Sequence, residues 1–312
     1  MGVILSKSLI FCARTIPSIF LGIVLVNILE NLGWTKRIGW IAKPFTWLGR
    51  LKEASGVSFI VSFGSPSSGN AMLMQLFREE KIDKKEMYIA SLANTFPAAL
   101  MHWRSMLPVL IPLLGLTGIL YFATFVFIGF IKTIAVLIVG RFILKDNTDQ
   151  LRVEQPAVVK LKPLDLLKKS VTQGWPLMRR VIFITIPITI LVFWLVEIGV
   201  FDWLTLHIKG VTKIFPIPVE GLSIAAAYFG QTVAAYTIAG NMLTAGAISS
   251  KDIILSLLLG QLLSSIISSF RYSAPYYMGI FGTKMGTELL VYSSVLRIIF
   301  TIVMFYCIYF FF

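Results

Sequence analysis

Residues 9–31, 117–144, 181–200 and 288–312 are apolar runs long enough to cross a bilayer, which takes about 20 such residues. Runs of this length near both ends and in the middle leave no stretch from which a water-soluble domain of any size could be built. Composition agrees. The chain is 57% hydrophobic with a mean hydropathy of +0.83, and 14% of it is charged, against about 25% in soluble domains. The expected class is an all-α polytopic membrane protein. The first run follows Lys7 and Arg14 as a signal peptide would, but it is too long and lacks a small-residue cleavage site, so it is read as a retained helix.

A formal charge of +13 would suggest nucleic acid in a soluble protein. Here it is topology information, because Lys and Arg collect on cytoplasmic loops, and no nucleic-acid partner is expected. Cys12 and Cys307 sit in apolar runs at opposite ends of the chain without metal-ligand spacing, and are assigned to packing.

The chain repeats itself. The segment from Gly56, GVSFIVSFGSPSSGNAMLMQLFREEKIDKKE, matches the segment from Gly221, GLSIAAAYFGQTVAAYTIAGNMLTAGAISSKD. Phe63–Gly64 aligns with Phe229–Gly230, Ile82 with Ile248 and Lys85 with Lys251, at an offset of 166 residues. Arg104 with Arg271 and Pro108 with Pro275 fall one residue later, and Lys132 falls opposite Arg297 at an offset of 165. Glu30 and Glu197 close the first apolar helix of each unit. The expected organisation is one unit over residues 1–144, a polar linker over 145–173 and a second unit over 174–312.

Charge orients the two units. Residues 33–53 carry Lys36, Arg37, Lys43, Arg50 and Lys52; residues 78–86 carry Arg78, Lys81, Lys84 and Lys85; residues 141–180 carry nine basic side chains. All lie on one face only if the Gly/Ser-interrupted segment between the first two groups dips into the membrane and returns. The corresponding loops of the second unit hold only Lys209, Lys213 and Lys251, as expected for a flipped copy. The prediction is two inverted repeats in a cell-membrane protein, each of three transmembrane helices plus a re-entrant helical hairpin. The linker is placed in the cytoplasm and both termini outside.

The doubled pattern of FGSPSSGN followed by ANTFPAALMHWRSMLP, and of FGQTVAAYTIAGN followed by GQLLSSIISSFRYSAP, resembles the nucleoside-recognition or Gate family. That family includes spore maturation membrane proteins, and related domains form the membrane part of the bacterial ferrous-iron transporter B. The design is similar to that of concentrative nucleoside transporters. The resemblance implies paired re-entrant hairpins and interrupted helices meeting at a central site.

Irregular backbone at membrane depth survives only where protein or a water-filled cavity satisfies it, and transporters aim such broken ends at solute. Counted from the neighbouring loops, Asn94 and Thr95, Gln261, Ser264 and Ser265, and the hairpin tips at Ser65, Ser67, Ser68 and Asn70 and at Gln231 and Thr232 reach one depth. Asn94 and Gln261 form the expected symmetry-related pair. Small polar residues also glue helices together without binding anything, and both readings stand on sequence alone. Among intramembrane basic residues, Arg297 is the deepest and joins the candidate set. Lys132 is expected to reach the inner surface, and Arg104 and Arg271 to snorkel. His102 and His207 are lone; His102, inside the interrupted helix, is kept as a weak candidate.

No catalytic constellation, metal cluster or cofactor motif is legible. The hairpins hold no carboxylate to grip ribose hydroxyls, a departure from the nucleoside transporters. The expected activity is a transporter-like one, binding a small polar or anionic solute at the midplane within the lipid bilayer. A non-transporting scaffold or assembly factor of the spore-maturation type is the alternative, and self-association is left open.

Overall fold

The computed structural model describes residues 42–144, 163–197, 214–269 and 273–312, with separate positions between 6 and 28. The described residues form helices and the turns between them, with no strand among them. Most of the expected first span, the basic loop ahead of residue 42, residues 145–162, His207 and Arg271 lie outside the described residues.

After a short helix α1 (Ala42–Leu48) come α2 (Glu53–Gly64) and α3 (Pro66–Arg78), folded into a hairpin. The proline ring crowds the residue before it into extended backbone, so Ser65 takes φ −150° and ψ 106°. Pro66 then opens α3, where its missing N–H would have had no partner anyway. The two arms close tightly at Gly69, where a Cβ would meet the Ser62 hydroxyl and lie 2.6 Å from Ser58 O. Both ends of the hairpin meet one loop. Lys52 N and Ser55 Oγ donate to Glu86 at 2.8 and 2.7 Å, and Lys52 Nζ donates to Lys81 O at 2.7 Å. Arms of 12 and 13 residues extend roughly 18–20 Å at helical rise, short of the ~30 Å hydrocarbon core.

The interrupted helix follows as α4 (Lys84–Ala93), α5 (Thr95–Met101) and α6 (Trp103–Leu114). Asp83 caps α4 by accepting from Glu86 N at 2.7 Å. The break at Asn94 comes from Pro97, which has no N–H to give the carbonyl four residues back. That carbonyl, Ala93 O, instead accepts from Thr133 Oγ1 at 3.0 Å. Thr133 lies on α7 (Leu116–Ile143), a 28-residue helix whose most apolar 18-residue stretch has a mean hydropathy of 2.4. Next comes α8 (Pro163–Glu197), 35 residues long. It begins inside the stretch expected to be linker, where Pro163 at the first helical position and Asp165 in the first turn favour a helix start.

The same sequence of elements recurs as α9 (Val219–Gly230), α10 (Thr232–Thr244), α11 (Ser250–Ser268), α12 (Ala274–Phe281) and α13 (Thr283–Phe311). The hairpin arms again have 12 and 13 residues, and Gln231 repeats the tip geometry at φ −156° and ψ 131° without a proline. Helix α13 has 29 residues, and its most apolar 18-residue stretch has a mean hydropathy of 2.1; it and α7 are the two described helices long and apolar enough to cross a membrane. The offset of 166 holds through the start of α11, but the glycines ahead of the long helices, Gly115 and Gly282, are 167 apart. A π-helical turn at Ser269 and Ser273 accounts for the extra residue, since such a turn is a one-residue insertion into an α-helix. The sequence pairing of Lys132 with Arg297 is therefore out of register: Lys132 lies 17 residues after Gly115 and Arg297 lies 15 after Gly282.

Contacts between the units fix the direction of each helix. Lys84 Nζ lies 2.9 Å from Glu288, which also accepts from Tyr88 OH at 2.6 Å, so α4 and α13 begin side by side. Thr117 Oγ1 and Ser250 Oγ are 2.8 Å apart, so α7 and α11 begin side by side. Lys251 Nζ donates to Tyr309 O at 2.9 Å, at the far end of α13. Helices α7 and α13 are thus antiparallel. Basic–aromatic pairs sit at both ends, with Arg141 over Trp47 and Lys251 over Tyr309, at 5.1 and 5.5 Å from the ring centres, the placement favoured at membrane interfaces.

Candidate functional site

The polar residues picked from sequence fall into three groups. At the first hairpin tip, Ser68 N and Ser68 Oγ both bond Ser65 Oγ, at 3.2 and 2.8 Å, and Ser67 Oγ lies 3.0 Å from it. The Ser65 hydroxyl caps α3, and Ser67 and Ser68 stay exposed. Thr95 is likewise spent locally, donating to Leu92 O at 2.7 Å.

One turn into α3, Asn70 is buried and joins the first hairpin to the interrupted helix. Its Oδ1 accepts from Asn94 Nδ2 at 3.1 Å and its Nδ2 donates to Tyr276 OH at 2.8 Å. Tyr276 OH donates in turn to Pro66 O at 3.0 Å. Asn94 Oδ1 is buried without a hydrogen-bond partner. Tyr276 belongs to α12 of the second unit and is absent from the sequence-derived set.

The second group surrounds Gln261. Its Oε1 accepts from Tyr121 OH at 3.3 Å, and Tyr121 OH lies 3.3 Å from Tyr228 OH. Tyr236 stacks edge-on against both, at 5.9 and 6.4 Å between ring centres. Thr232, at the second tip, neighbours the Tyr228 hydroxyl. Ser264 bonds back to Gln261 O at 3.2 Å. A tyrosine inside an apolar run needs a partner for its hydroxyl, and three such residues at 121, 228 and 236 were the available signal for this cluster.

One helical turn beyond Gln261 lies the third group. Three side-chain donors converge on Ser265 O, in the last turn of α11: Arg297 Nη2 at 3.2 Å, Ser268 Oγ at 3.1 Å and Ser269 Oγ at 2.7 Å. Arg297 also reaches Ser269 Oγ at 2.7 Å. Arg297 Nε and Ser265 Oγ are buried without hydrogen-bond partners. Tyr228 and Tyr277 lie within electrostatic reach of the guanidinium, which joins this group to the second.

Lys132 differs from expectation. Rather than reaching a membrane surface it is 6% exposed, held inward because the neighbouring Thr133 is pinned to Ala93 O. Arg104 is half-buried against Met101 Sδ at 3.2 Å. His102 packs edge-on against Phe125 at 5.7 Å, a packing role. Among the described residues, no three His, Cys, Asp or Glu side chains converge as metal ligands. A pocket of about 330 Å³ between Leu120, Phe127, Ile254, Met304 and Ile308 is apolar and is lined by no residue of the three groups.

The nucleoside-recognition (Gate) family model matches residues 12–115, ending at the glycine ahead of α7. The uncharacterized protein MJ1556 of Methanocaldococcus jannaschii is 36% identical over 304 residues, which is 95% of this chain and 94% of that one. This chain belongs to the Gate family. Two further uncharacterized proteins of the same organism, MJ0871 and MJ0880, are 27% and 22% identical, over 89% and 91% of this chain and 86% and 92% of their own lengths. No solved structure matches the chain significantly. Family membership and the two long apolar helices make this a Gate-family membrane protein.

Proposed function

We propose that this Gate-family protein is a carrier-type, multi-pass membrane protein built from two inverted units, over residues 1–144 and 174–312, that binds a small polar or anionic solute at their shared midplane. The observation that carries this reading is the set of buried, incompletely bonded polar groups at the helix breaks: Asn94 Oδ1, Ser265 Oγ and Arg297 Nε. Buried polar atoms are normally satisfied, so unfilled bonding capacity at the breaks suits a ligand.

Inversion is supported by the exchange of contacts between units. The start of α4 meets the start of α13, and the equivalent start of α11 meets the start of α7, as a two-fold axis in the membrane plane requires. Each hairpin, too short to cross, fits a re-entrant arm whose tip stops near mid-membrane. At the offset of 166 that holds ahead of the π-helical turn, Asn94 falls opposite Gly260, so Gln261 stands one residue beyond the strict equivalent of Asn94; both amides bond within the centre. In this reading the tip residues Ser65, Ser67, Ser68, Gln231 and Thr232 line the approach, and Asn70, Asn94, Gln261, Ser265 and Arg297 line the site.

Thermal unfolding of the purified protein in detergent, across a panel of nucleosides, organic acids and inorganic anions, tests the reading. A saturable, solute-specific rise in Tm is expected. A protein that responds to none of them is a scaffold or assembly factor rather than a carrier.

A further inference from the structure

We infer that the centre between α7, α11, α12 and α13 binds a small oxyanion carrying two negative charges, held between Lys132 and Arg297; this rests on the midplane-solute reading above. The two cations come from different units, one on each long helix, and each stands beside a broken helix. Lys132 neighbours Thr133, which reaches the α4–α5 break at Ala93 O. Arg297 reaches Ser265 O, in the last turn of α11 just ahead of the π-helical turn. The two lie within electrostatic reach of one another.

What is missing is a counter-charge. The described ion pairs, Lys81–Glu79 and Lys84–Glu288, lie near the helix ends. Among the described residues no carboxylate pairs with Lys132 or Arg297, and Lys132 makes no hydrogen bond. Two like charges in a low-dielectric interior repel and are poorly solvated. A purely structural account has the cations capping the carbonyl ends of the broken helices. Carbonyl dipoles supply only about half a charge at a helix terminus, however, and Arg297 Nε remains unpartnered. An anion with two charges neutralises both groups at once, whereas a neutral solute leaves both uncompensated.

The surrounding donors fit oxygen. Ser265 Oγ is buried and unpartnered, and the hydroxyls of Tyr228 and Tyr277 lie near the guanidinium. A guanidinium suits an oxyanion because its donors diverge in a plane that matches two oxygens. Phosphate-like and dicarboxylate ions share this chemistry.

The test is thermal unfolding of the full-length protein in detergent with sulfate, phosphate at mildly alkaline pH, or succinate, each against sodium chloride of equal ionic strength. Uridine serves as the uncharged probe. Probes are kept at low millimolar concentration or below, where general salt exclusion, which stabilises most proteins at high salt, is negligible. At least one dianion should raise Tm saturably in the parent protein. Lys132→Met should raise the Tm measured without ligand, because it removes one of two repelling buried charges. It should also weaken the apparent affinity for that dianion by on the order of thirtyfold or more. Arg297→Lys, which keeps the charge and loses the planar fork, should retain a weakened response. An undiminished dianion response in Lys132→Met overturns the assignment, as does a ligand-free Tm lowered by that substitution. A response to uridine with every dianion silent overturns it while leaving the midplane-solute reading standing. Silence of all probes removes both.

Discussion

Asn94 Nδ2 lies 3.1 Å from Asn70 Oδ1, and this contact joins the returning arm of the first hairpin to the break in the helix beside it. Both residues are nearly fully buried. Their side chains are therefore at once a structural tie and, through the unpartnered Asn94 Oδ1, a place where solute can bind. Asn94→Ala and Asn70→Ala should each lower unfolding stability by about 1 kcal/mol, the scale of interhelical hydrogen bonds in membranes. The double variant should cost less than the sum by roughly 0.6 kcal/mol. Additive losses would show that the two amides do not act on one another. Asn94→Ala and Gln261→Ala should both abolish whatever solute response the parent shows, and a full response in either would remove that residue from the site.

The hairpin depends on backbone contact at Gly69. Gly69→Ala drives a methyl group into Ser62 Oγ and Ser58 O, and overpacking of this kind costs roughly 1–3 kcal/mol. Gly64, at the end of the facing arm, has open space where an added methyl group would sit, with no atom within 4 Å, so Gly64→Ala should leave Tm essentially unchanged. Equal losses would mean that the arms are not closed at Gly69.

Two glutamates at the same end of the molecule should behave differently. Glu86 is 3% exposed and accepts from Lys52 N and Ser55 Oγ. Glu86→Ala strands both donors and should cost about 2–3 kcal/mol. Glu288 bonds Lys84 and Tyr88, but its ion pair with Lys84 is solvent-accessible, with side chains 33% and 47% exposed. Glu288→Gln should change stability by less than about 1 kcal/mol, and that change should shrink in high salt. The comparison is read from unfolding midpoints of the two variants measured side by side.

Much of this architecture was legible in the sequence, and the misses have physical causes. The first tip was legible as a Gly/Ser-rich interruption of an apolar segment; that Pro66 forces Ser65 into extended backbone there emerged from the structure. The second tip has no such marker; Gln231 was located only through its match to the first unit. The drift in offset from 166 to 167 was visible, but its source was not, because Ser269 and Ser273 differ from ordinary helical serines only in their backbone turn. Lys132 was expected to snorkel because depth counted along one helix ignores rotation about its axis; Thr133 bonded to Ala93 O sets that rotation. Tyr276 was missed because its partner, Asn70, lies 206 residues away, beyond any local pattern. The exposed serines of the first tip looked like site residues, yet their hydroxyls bond one another.

The inverted pairing of the units is tested most directly by labelling equivalent positions. Lys81 and Ala247 are 166 residues apart, each exposed in the loop that follows its own hairpin. In a background with Cys12 and Cys307 replaced by serine, Lys81→Cys and Ala247→Cys are treated in sealed, oriented vesicles with a membrane-impermeant thiol reagent. Inverted units place the two cysteines on opposite faces, so that one labels from outside and the other only after the vesicles are opened. Labelling of both from the same face would contradict the inversion, and with it the placement of both hairpin tips around a single central site.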